Sequence, residues 1–142
     1  RHKGNKQTVR NTVNQTTDIM IQTSTIITII HSRRHREMVR YGDVHWCSLP
    51  TYNDFILDKN RPCLIISNDF QNQGSSTVQV CPLTTSMKRM DLPCHVHTHC
   101  GVVRTEQILT IDKDTVGRRM GALSDAELRQ VKTSLMVQLG IL

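Results

Sequence analysis

The sequence predicts a mainly β fold with an added helix: a small, twisted antiparallel sheet or barrel that ends in a C-terminal helix. The first observation is the segment Arg61–Asp69, in which four consecutive apolar residues are typical of a short buried strand. The second is the alternation of apolar and polar residues on both sides of this segment, in residues 41–49 and 77–84. The third is the helical spacing of apolar residues at the end of the chain.

Length and charge limit the class of protein. The chain has 142 residues, 37% of them hydrophobic, which suffices for one compact domain without disulfides. Its formal charge of +6 is unevenly distributed, because residues 1–37 hold seven basic and two acidic side chains and so supply +5. Residues 38–142, with 11 basic and 10 acidic side chains, supply the remaining +1. The overall basicity is therefore a weak reason to expect that the folded part binds an acidic partner.

Residues 1–37 differ in composition from the rest and are predicted to be a disordered or non-native N-terminal extension, with the domain at residues 38–142. Their apolar patch, Thr25–Ile30, is too short to span a bilayer, so no membrane association is expected. The basic cluster His31–Arg36 follows the patch, whereas a signal peptide carries its charges before it. A nucleic-acid arm is the alternative interpretation of this cluster. Five cysteines without a signal peptide favour a reducing compartment, here the cytoplasm.

The first strand is predicted from Tyr41 to Leu49, with a bend or bulge at Gly42-Asp43. Its alternation places Tyr41, Val44, Trp46 and Leu49 on one approximate face. A loop follows from Thr51 to Asn60, and its apolar content is unusual for a solvent-facing connection. This loop is either a lid packed on the domain or a surface for a partner.

After the buried segment, residues 71–76 have the composition of a turn, and Thr77–Thr84 alternates as a half-buried strand. Pro82 pushes this strand towards an edge or a bulge. The hydroxyl residues Thr84, Thr85 and Ser86 mark its end. Strand ends are common places for chemistry, because a rigid sheet positions the side chains while the following loop leaves them exposed.

The segment Cys94–Cys100 holds three alternating histidines, which are expected on one face of a strand. Cysteine and histidine are metal ligands, but two cysteines six residues apart match no familiar structural zinc spacing. An exposed strand face is the preferred interpretation, and no metal is predicted. Cys47, Cys63 and Cys81 lie on predicted strands and are expected to be small core residues.

The last strand is predicted from Val102 to Asp112, and its alternation makes Arg104 and Glu106 neighbours on one side. An ion pair on a solvated face contributes little to stability. The sharper interpretation is an acid–base pair at a cleft, but this strand alone favours the ion pair.

A single helix is predicted to close the chain. Ser124–Glu127 has the pattern of a capping box, in which the serine and the glutamate cap each other's backbone amides. Apolar residues then recur at helical spacing and are expected to pack on the sheet: Leu128, Val131, Leu135, Leu139 and Leu142. Met136 and Val137 are surplus to this stripe and are candidates for a dimer face.

In five places the chain resembles the MazF/PemK-type toxins of bacterial toxin–antitoxin systems. The motifs are Arg40-Tyr-Gly-Asp-Val-His-Trp46, Arg61-Pro-Cys-Leu-Ile-Ile-Ser-Asn-Asp69, Cys81-Pro-Leu-Thr-Thr-Ser86, Leu92-Pro-Cys-His-Val96 and Glu106-Gln-Ile-Leu-Thr-Ile-Asp-Lys113. The resemblance covers residues 38–142. It implies an SH3-like barrel with a C-terminal helix, a homodimer, and a cognate antitoxin protein that blocks the RNA groove. It also implies a sequence-specific endoribonuclease that cuts single-stranded RNA, usually mRNA, without a metal or other cofactor.

By the same resemblance, Arg61 matches the family's catalytic arginine and Thr84 its catalytic threonine. Arg104 and Glu106 match the Arg-x-Asp/Glu pair of the Kid-like branch, where the carboxylate is the proposed base. Thr85, Ser86 and Lys88 are expected to bind RNA beside Arg61.

Two departures from the family pattern bear on specificity. The loop Thr51–Asn60 lacks the Gly-x-Glu-Gln-Gly type of sequence that many relatives carry, and Leu109 stands where relatives usually have arginine. Two other readings stay open: a non-catalytic toxin that binds a protein such as DNA gyrase, as the related CcdB toxins do, and an inactive family member.

Overall fold

The computed structural model describes residues 14–26, 38–50, 60–86 and 92–142 of the chain. The chain divides into two units, Arg1–Glu37 and Met38–Leu142. In the first unit, residues 14–26 form a helix, α1, whose side chains are all exposed. That residues 1–37 are a disordered or non-native extension stays a prediction. No helix in the described ranges has both the length and the apolar character needed to cross a membrane.

Within its described residues, the second unit is built from seven short strands and two α-helices. The strands are β1 Asp43–Ser48, β2 Asn60–Ile65, β3 Thr77–Thr84, β4 His95–Thr98, β5 Gly101–Arg104, β6 Leu109–Asp112 and β7 Val116–Ala122. The helices are α2, Asp69–Gly74, and α3, Asp125–Gln138, and a single 3₁₀ turn, Lys113–Thr115, joins β6 to β7.

All pairings in this sheet are antiparallel, in the order β4-β5-β3-β2-β1-β7, with β6 also paired to β3. The predicted class, a mainly β antiparallel fold with a C-terminal helix, is confirmed. The described strands do not close into a hydrogen-bonded barrel, because the path of paired strands ends at β4 on one side and at β7 on the other.

The predicted last strand is wrong in one respect, because it is two strands. β5 pairs with the end of β3, at Leu83 and Thr84, and β6 pairs with its beginning, from Thr77 to Val80. Between them the chain turns, and the amide of Gln107 donates a hydrogen bond to the Arg104 carbonyl (3.1 Å). Alternation continues through this turn, so period two alone cannot reveal it.

Two other elements were not predicted. Residues 71–76 are mostly helical rather than a simple turn, since α2 begins after Asn68, whose side chain accepts a hydrogen bond from the Gln71 amide (2.9 Å). β7 is largely exposed and lacks apolar alternation. It pairs with β1 all the same, and at Gly117 an added Cβ would lie 2.7 Å from the Trp46 carbonyl oxygen. Only glycine permits that close approach.

Irregular pairing also changes which residues of β1 are buried. The β1–β7 register shifts on both sides of His45. As a result His45 is fully buried, with its Nδ1 2.9 Å from the Gly117 carbonyl oxygen, while Trp46 remains 43% exposed. The predicted alternation is thus interrupted between Val44, which is buried, and Trp46, because a bulge reverses it.

Two clusters of buried side chains form the core of this unit. Cys47, Cys63 and Cys81 are fully buried in them, as predicted, and burial raises the pKa of the Cys81 thiol to about 12, helped by the negative charge of Glu106. These thiols therefore act as small apolar groups.

Helix α3 covers the first cluster with only part of its predicted stripe. Val131 is buried, and Leu128 and Leu135 pack partly against the cluster. Leu139 and Leu142 are exposed, contrary to prediction, because the helix ends at Gln138.

The capping box also ties α3 to the turn between β4 and β5. The Glu127 carboxylate accepts hydrogen bonds from the Ser124 amide (2.8 Å) and from the amide (2.7 Å) and Nδ1 (2.9 Å) of His99. Burial by itself raises the pKa of this carboxyl. The hydrogen bonds from His99 and Ser124 outweigh it and lower the pKa from 4.5 to about 2.

We predict that Glu127→Gln lowers the free energy of unfolding by about 1 to 2 kcal/mol at neutral pH. Because the pKa of Glu127 is lower in the folded state, its contribution is complete above pH 4.5 and disappears as the pH falls to about 2. Urea unfolding at several pH values measures this difference. Asp125→Asn, which removes a charge from the same turn without these bonds, is the control. A Glu127→Gln deficit that is the same at all pH values would contradict the assignment.

Candidate active site

The strand registers bring several of the predicted site residues to one face of the sheet. Thr84 on β3 lies opposite Val102 on β5, which lies opposite His97 on β4. Arg104, two residues after Val102 on β5, lies opposite His95 on β4. Residues directly opposite each other share a face, and so do residues two apart on one strand. Thr84, Arg104, His95 and His97 therefore belong to the same face.

Arg61 lies on β2, the strand that pairs with β3. The β2–β3 register pairs Cys63, two residues after Arg61, with Pro82, two residues before Thr84. Arg61 is half-buried, and its Nε is enclosed without a hydrogen-bond partner among the described residues. A buried guanidinium donor without a partner is unusual, and it suits a site that receives an anionic ligand.

Arg104 and Glu106 form the most direct contact of the site. Arg104 Nε donates to Glu106 Oε1 at 2.8 Å, and both side chains are about three-quarters buried. His95 Nε2 lies 3.3 Å from the same oxygen. The other carboxylate oxygen, Oε2, is buried and accepts no hydrogen bond within the described part of the chain. Sequence alternation predicted the two as neighbours, although the turn after β5 is what brings Glu106 back beside Arg104.

The pKa of the Glu106 carboxyl is set by opposing influences. Burial raises it, but the hydrogen bond from its own backbone amide and the charge and hydrogen bond of Arg104 lower it more, with a smaller contribution from His95. The net effect is a pKa below the ordinary 4.5. Glu106 is therefore ionised throughout the neutral range and able to accept a proton.

The predicted RNA-binding residues after β3 are placed less closely. Thr84 Oγ1 accepts a hydrogen bond from the Ser86 amide (3.1 Å), which caps the strand end. Thr85 and Ser86 are exposed just beyond the site face. Lys88 lies outside the described residues, as does the apolar loop up to residue 59.

The histidine segment does not behave as a single surface. β4 ends at Thr98, so His99 lies in the following turn and bonds to Glu127 instead of joining His95 and His97. The expectation of three histidines on one strand face is wrong for His99. Cys100 Sγ is 3.3 Å from His99 Nε2, at the far end of β4 from Glu106.

Sequence reasoning missed His95 and Cys94 as neighbours of Glu106. Cys94, His95 and Glu106 each offer one possible ligand atom, and these atoms lie within 4.8 Å of one another. They form the one such group of three among the described residues. The available signal was the pairing of the start of β4 with the end of β5, which depends on recognising the turn at Gly101.

A buried hydroxyl pair holds these two segments in place. Ser134 on α3 donates to the Pro93 carbonyl (2.7 Å), and its oxygen lies 2.7 Å from that of Thr105. The Thr105 amide donates to the Cys94 carbonyl (2.8 Å). Both hydroxyl residues are almost fully buried. The backbone on each side of the Arg104–Glu106 pair is thereby fixed to the helix.

These features define a class: a small antiparallel sheet protein that carries two arginines, a carboxylate and a threonine hydroxyl on neighbouring strands and the turn beside them, groups suited to a phosphodiester. The chain belongs to the PemK-like, MazF-like toxins of type II toxin–antitoxin systems, whose family model matches residues 40–139. The resemblance found in the sequence is thus confirmed.

Individual relatives agree with this assignment. The chain is 30% identical over 112 residues to the endoribonuclease MazF of Staphylococcus saprophyticus, covering 73% of this chain and 93% of that protein. A mycobacterial endoribonuclease solved in complex with its cognate antitoxin is 27% identical, with a TM-score of 0.61 and coverage of 73% and 97%. The MazF of Deinococcus radiodurans, 22% identical with a TM-score of 0.64 and coverage of 73% and 98%, has the same fold.

We predict that Ser134→Ala destabilises the domain by about 1 to 2 kcal/mol, because the Pro93 carbonyl loses its donor and the Thr105 hydroxyl loses a partner. Equilibrium urea unfolding measures this change. Thr133→Ala, on the exposed side of the same helix, is the matched control and should change stability by less than about 0.5 kcal/mol. Equal losses of unfolding free energy in Ser134→Ala and Thr133→Ala would show that the buried hydroxyl pair contributes no more to stability than an exposed hydroxyl.

Proposed function

We propose that this chain is the toxin of a type II toxin–antitoxin system and an endoribonuclease that cuts single-stranded RNA, mRNA in the cell, at a short sequence. The observation that carries the proposal is that β2 and β5, the two neighbours of β3 in the sheet, carry Arg61, whose Nε has no hydrogen-bond partner among the described residues, and Arg104, which forms an ion pair with Glu106. The family membership and the named activity of the relatives support it.

The chemistry requires no metal, because RNA carries its own nucleophile. Glu106 takes the proton of a 2′-hydroxyl, whose oxygen attacks the adjacent phosphorus. The bond from phosphorus to the 5′-oxygen breaks, and this oxygen takes a proton from solvent water, leaving a 2′,3′-cyclic phosphate on one product and a 5′-hydroxyl on the other. The protein supplies a base and stabilises the charge that develops on the phosphoryl oxygens.

Arg61 and Thr84 form the phosphate clamp of this mechanism. A guanidinium can hold two phosphate oxygens at once, and the threonine hydroxyl adds a further donor. Arg104 stabilises charge and keeps Glu106 ionised rather than serving as the acid, since an arginine is a poor proton donor.

Substrate RNA extends from the clamp along the end of β3. Thr85, Ser86 and Lys88 are assigned to this path. Because residues 38–142 have a formal charge of only +1, affinity rests on a few clustered arginines and not on bulk charge. Leu109 and the atypical loop Thr51–Asn60 give this chain a sequence preference of its own.

The protein acts in the cytoplasm as a homodimer, and a cognate antitoxin blocks its RNA site. The mycobacterial endoribonuclease solved with its cognate antitoxin supports an antitoxin partner. The exposed Met136 and Val137 on α3 are available for the homodimer contact. The match to MazF-like rather than CcdB-like toxins does not favour a non-catalytic gyrase binder.

We predict that the purified protein cuts single-stranded RNA in the presence of EDTA and leaves cyclic phosphate ends. Arg61→Ala and Thr84→Ala should each slow cleavage by about 100-fold or more, because each removes a donor to the transition-state charge. Arg61→Lys should cut RNA little faster than Arg61→Ala, since a lysine ammonium group cannot hold two phosphate oxygens as a guanidinium does. Gel assays with end-group analysis provide the measurement.

Arg118→Ala, which removes an exposed charge from β7, controls for bulk electrostatics and should cut at nearly the wild-type rate. If Arg61→Ala, Arg61→Lys and Thr84→Ala all cut RNA as fast as the wild type, the phosphate clamp is wrongly assigned. If the wild type cuts no RNA at all, the enzyme proposal itself fails.

We predict that Glu106→Gln abolishes most cleavage while binding of uncleaved RNA is retained. Because the base must be deprotonated and the pKa of Glu106 is lowered from its ordinary value, the wild-type rate should begin to fall only at a lower pH than an unperturbed glutamate base would give. A rate profile from neutral to acidic pH, on RNA of fixed sequence, tests the assignment. A Glu106→Gln variant with an unchanged rate would remove Glu106 from the mechanism.

A further inference from the structure

The neighbourhood of Glu106 contains more than the cleavage chemistry uses. Cys94 and His95 stand at the start of β4, across from Arg104 and Glu106 at the end of β5. Their thiol sulfur and imidazole nitrogen and a Glu106 carboxylate oxygen lie within 4.8 Å of one another. The Glu106 side chain is 24% exposed, whereas the His95 side chain is only 8% exposed.

This donor set has a definite metal preference. Magnesium and calcium select oxygen ligands, whereas one sulfur, one nitrogen and one oxygen suit zinc. In a tetrahedral zinc site the ligand atoms lie about 3.4 to 3.6 Å apart, given bonds of about 2.0 to 2.3 Å. The three candidate ligand atoms, which lie within 4.8 Å of one another, must therefore move closer together when the ion binds.

We propose that Cys94, His95 and Glu106 bind a zinc ion, with a fourth position left to water. On binding, the Cys94 thiol releases its proton to solvent and coordinates as thiolate.

The backbone around the site is already fixed for this role. The Thr105 amide bonds to the Cys94 carbonyl (2.8 Å), and Ser134 bonds to the Pro93 carbonyl (2.7 Å). Thr105 and Ser134 are both buried and contact each other at 2.7 Å. Supporting contacts of this kind hold ligands in position and strengthen metal sites.

Zinc and Arg104 compete for one carboxylate. Arg104 Nε lies 2.8 Å from Glu106 Oε1, and the arginine side chain is 27% exposed and free to turn towards water. Binding of the ion therefore exchanges a guanidinium partner of Glu106 for a metal. The consequence for activity rests on the proposed function. Zinc bound to Glu106 removes the base of RNA cleavage, so zinc inhibits the toxin reversibly.

The test is direct binding to the full chain, free of any assay of activity. Calorimetric titration with zinc alone, in a non-chelating reductant, should give one ion per chain. Cobalt in place of zinc should produce the absorption of a thiolate–cobalt bond. Cys94→Ser should weaken zinc binding by at least about tenfold and remove this absorption.

Cys100→Ser is the matched control, because Cys100 is also half-buried and has a histidine neighbour, His99, at 3.3 Å. It should bind zinc as the wild type does. Arg104→Gln should bind zinc several-fold more tightly, since the competing cation is gone. Circular dichroism establishes that each variant is folded.

A wild type that binds no zinc overturns the site, and so does loss of binding in Cys100→Ser rather than Cys94→Ser. RNA cleavage then tests the consequence. Zinc should slow cleavage by the wild type, whereas Cys94→Ser should cut RNA at nearly the same rate with and without zinc. Zinc binding with undiminished cleavage would overturn the inhibition alone. A chain that binds zinc and never cuts RNA would support the site and refute the enzyme.

Discussion

The structure depends on the pairing of β3 along both of its edges. One edge pairs with β2, and the other pairs first with β6 and then with β5. Pro82 lies between the residues that pair with β6 and those that pair with β5, where β3 changes partner. A residue without an amide hydrogen is best tolerated where the ladder is interrupted. Because β5 and β6 meet at this point, the turn between them carries Glu106 to the site face.

The electrostatics of the site follow from that placement. Glu106 is partly buried, which by itself disfavours its charge, yet it keeps the charge because Arg104 and its own backbone amide stabilise it. A carboxylate held this firmly is a weak base, so the rate must come mainly from stabilising the transition state. Under the proposed mechanism Arg61 is suited to that task, since its Nε has no hydrogen-bond partner among the described residues.

Local sequence patterns predicted the parts of this molecule that obey one period. Thr77–Thr84 is a strand with the predicted bounds, and Ser124–Glu127 caps a helix as a capping box should. The predictions failed where strand pairing, and not the period of apolar residues along the chain, determines the structure. One case is the bulge that buries His45, and the other is the exposed β7, which is a strand because it pairs with β1. The contact of Cys94 and His95 with Glu106 was missed for the same reason, because a register between two strands is not visible in either strand alone.

The proposed cleavage and the proposed zinc site use the same carboxylate of Glu106. Catalysis by a carboxylate base requires a partly buried, ionised oxygen, and the same property makes that oxygen a good ligand. What decides between the two roles is the neighbouring side chain. Arg104 Nε lies 2.8 Å from one oxygen of the Glu106 carboxylate, and the Cys94 thiol and the His95 imidazole lie within 4.8 Å of the same group. Under the zinc proposal, the carboxylate therefore serves either the guanidinium and RNA cleavage or the metal, and the side chains at positions 94 and 95 decide whether the second role is open.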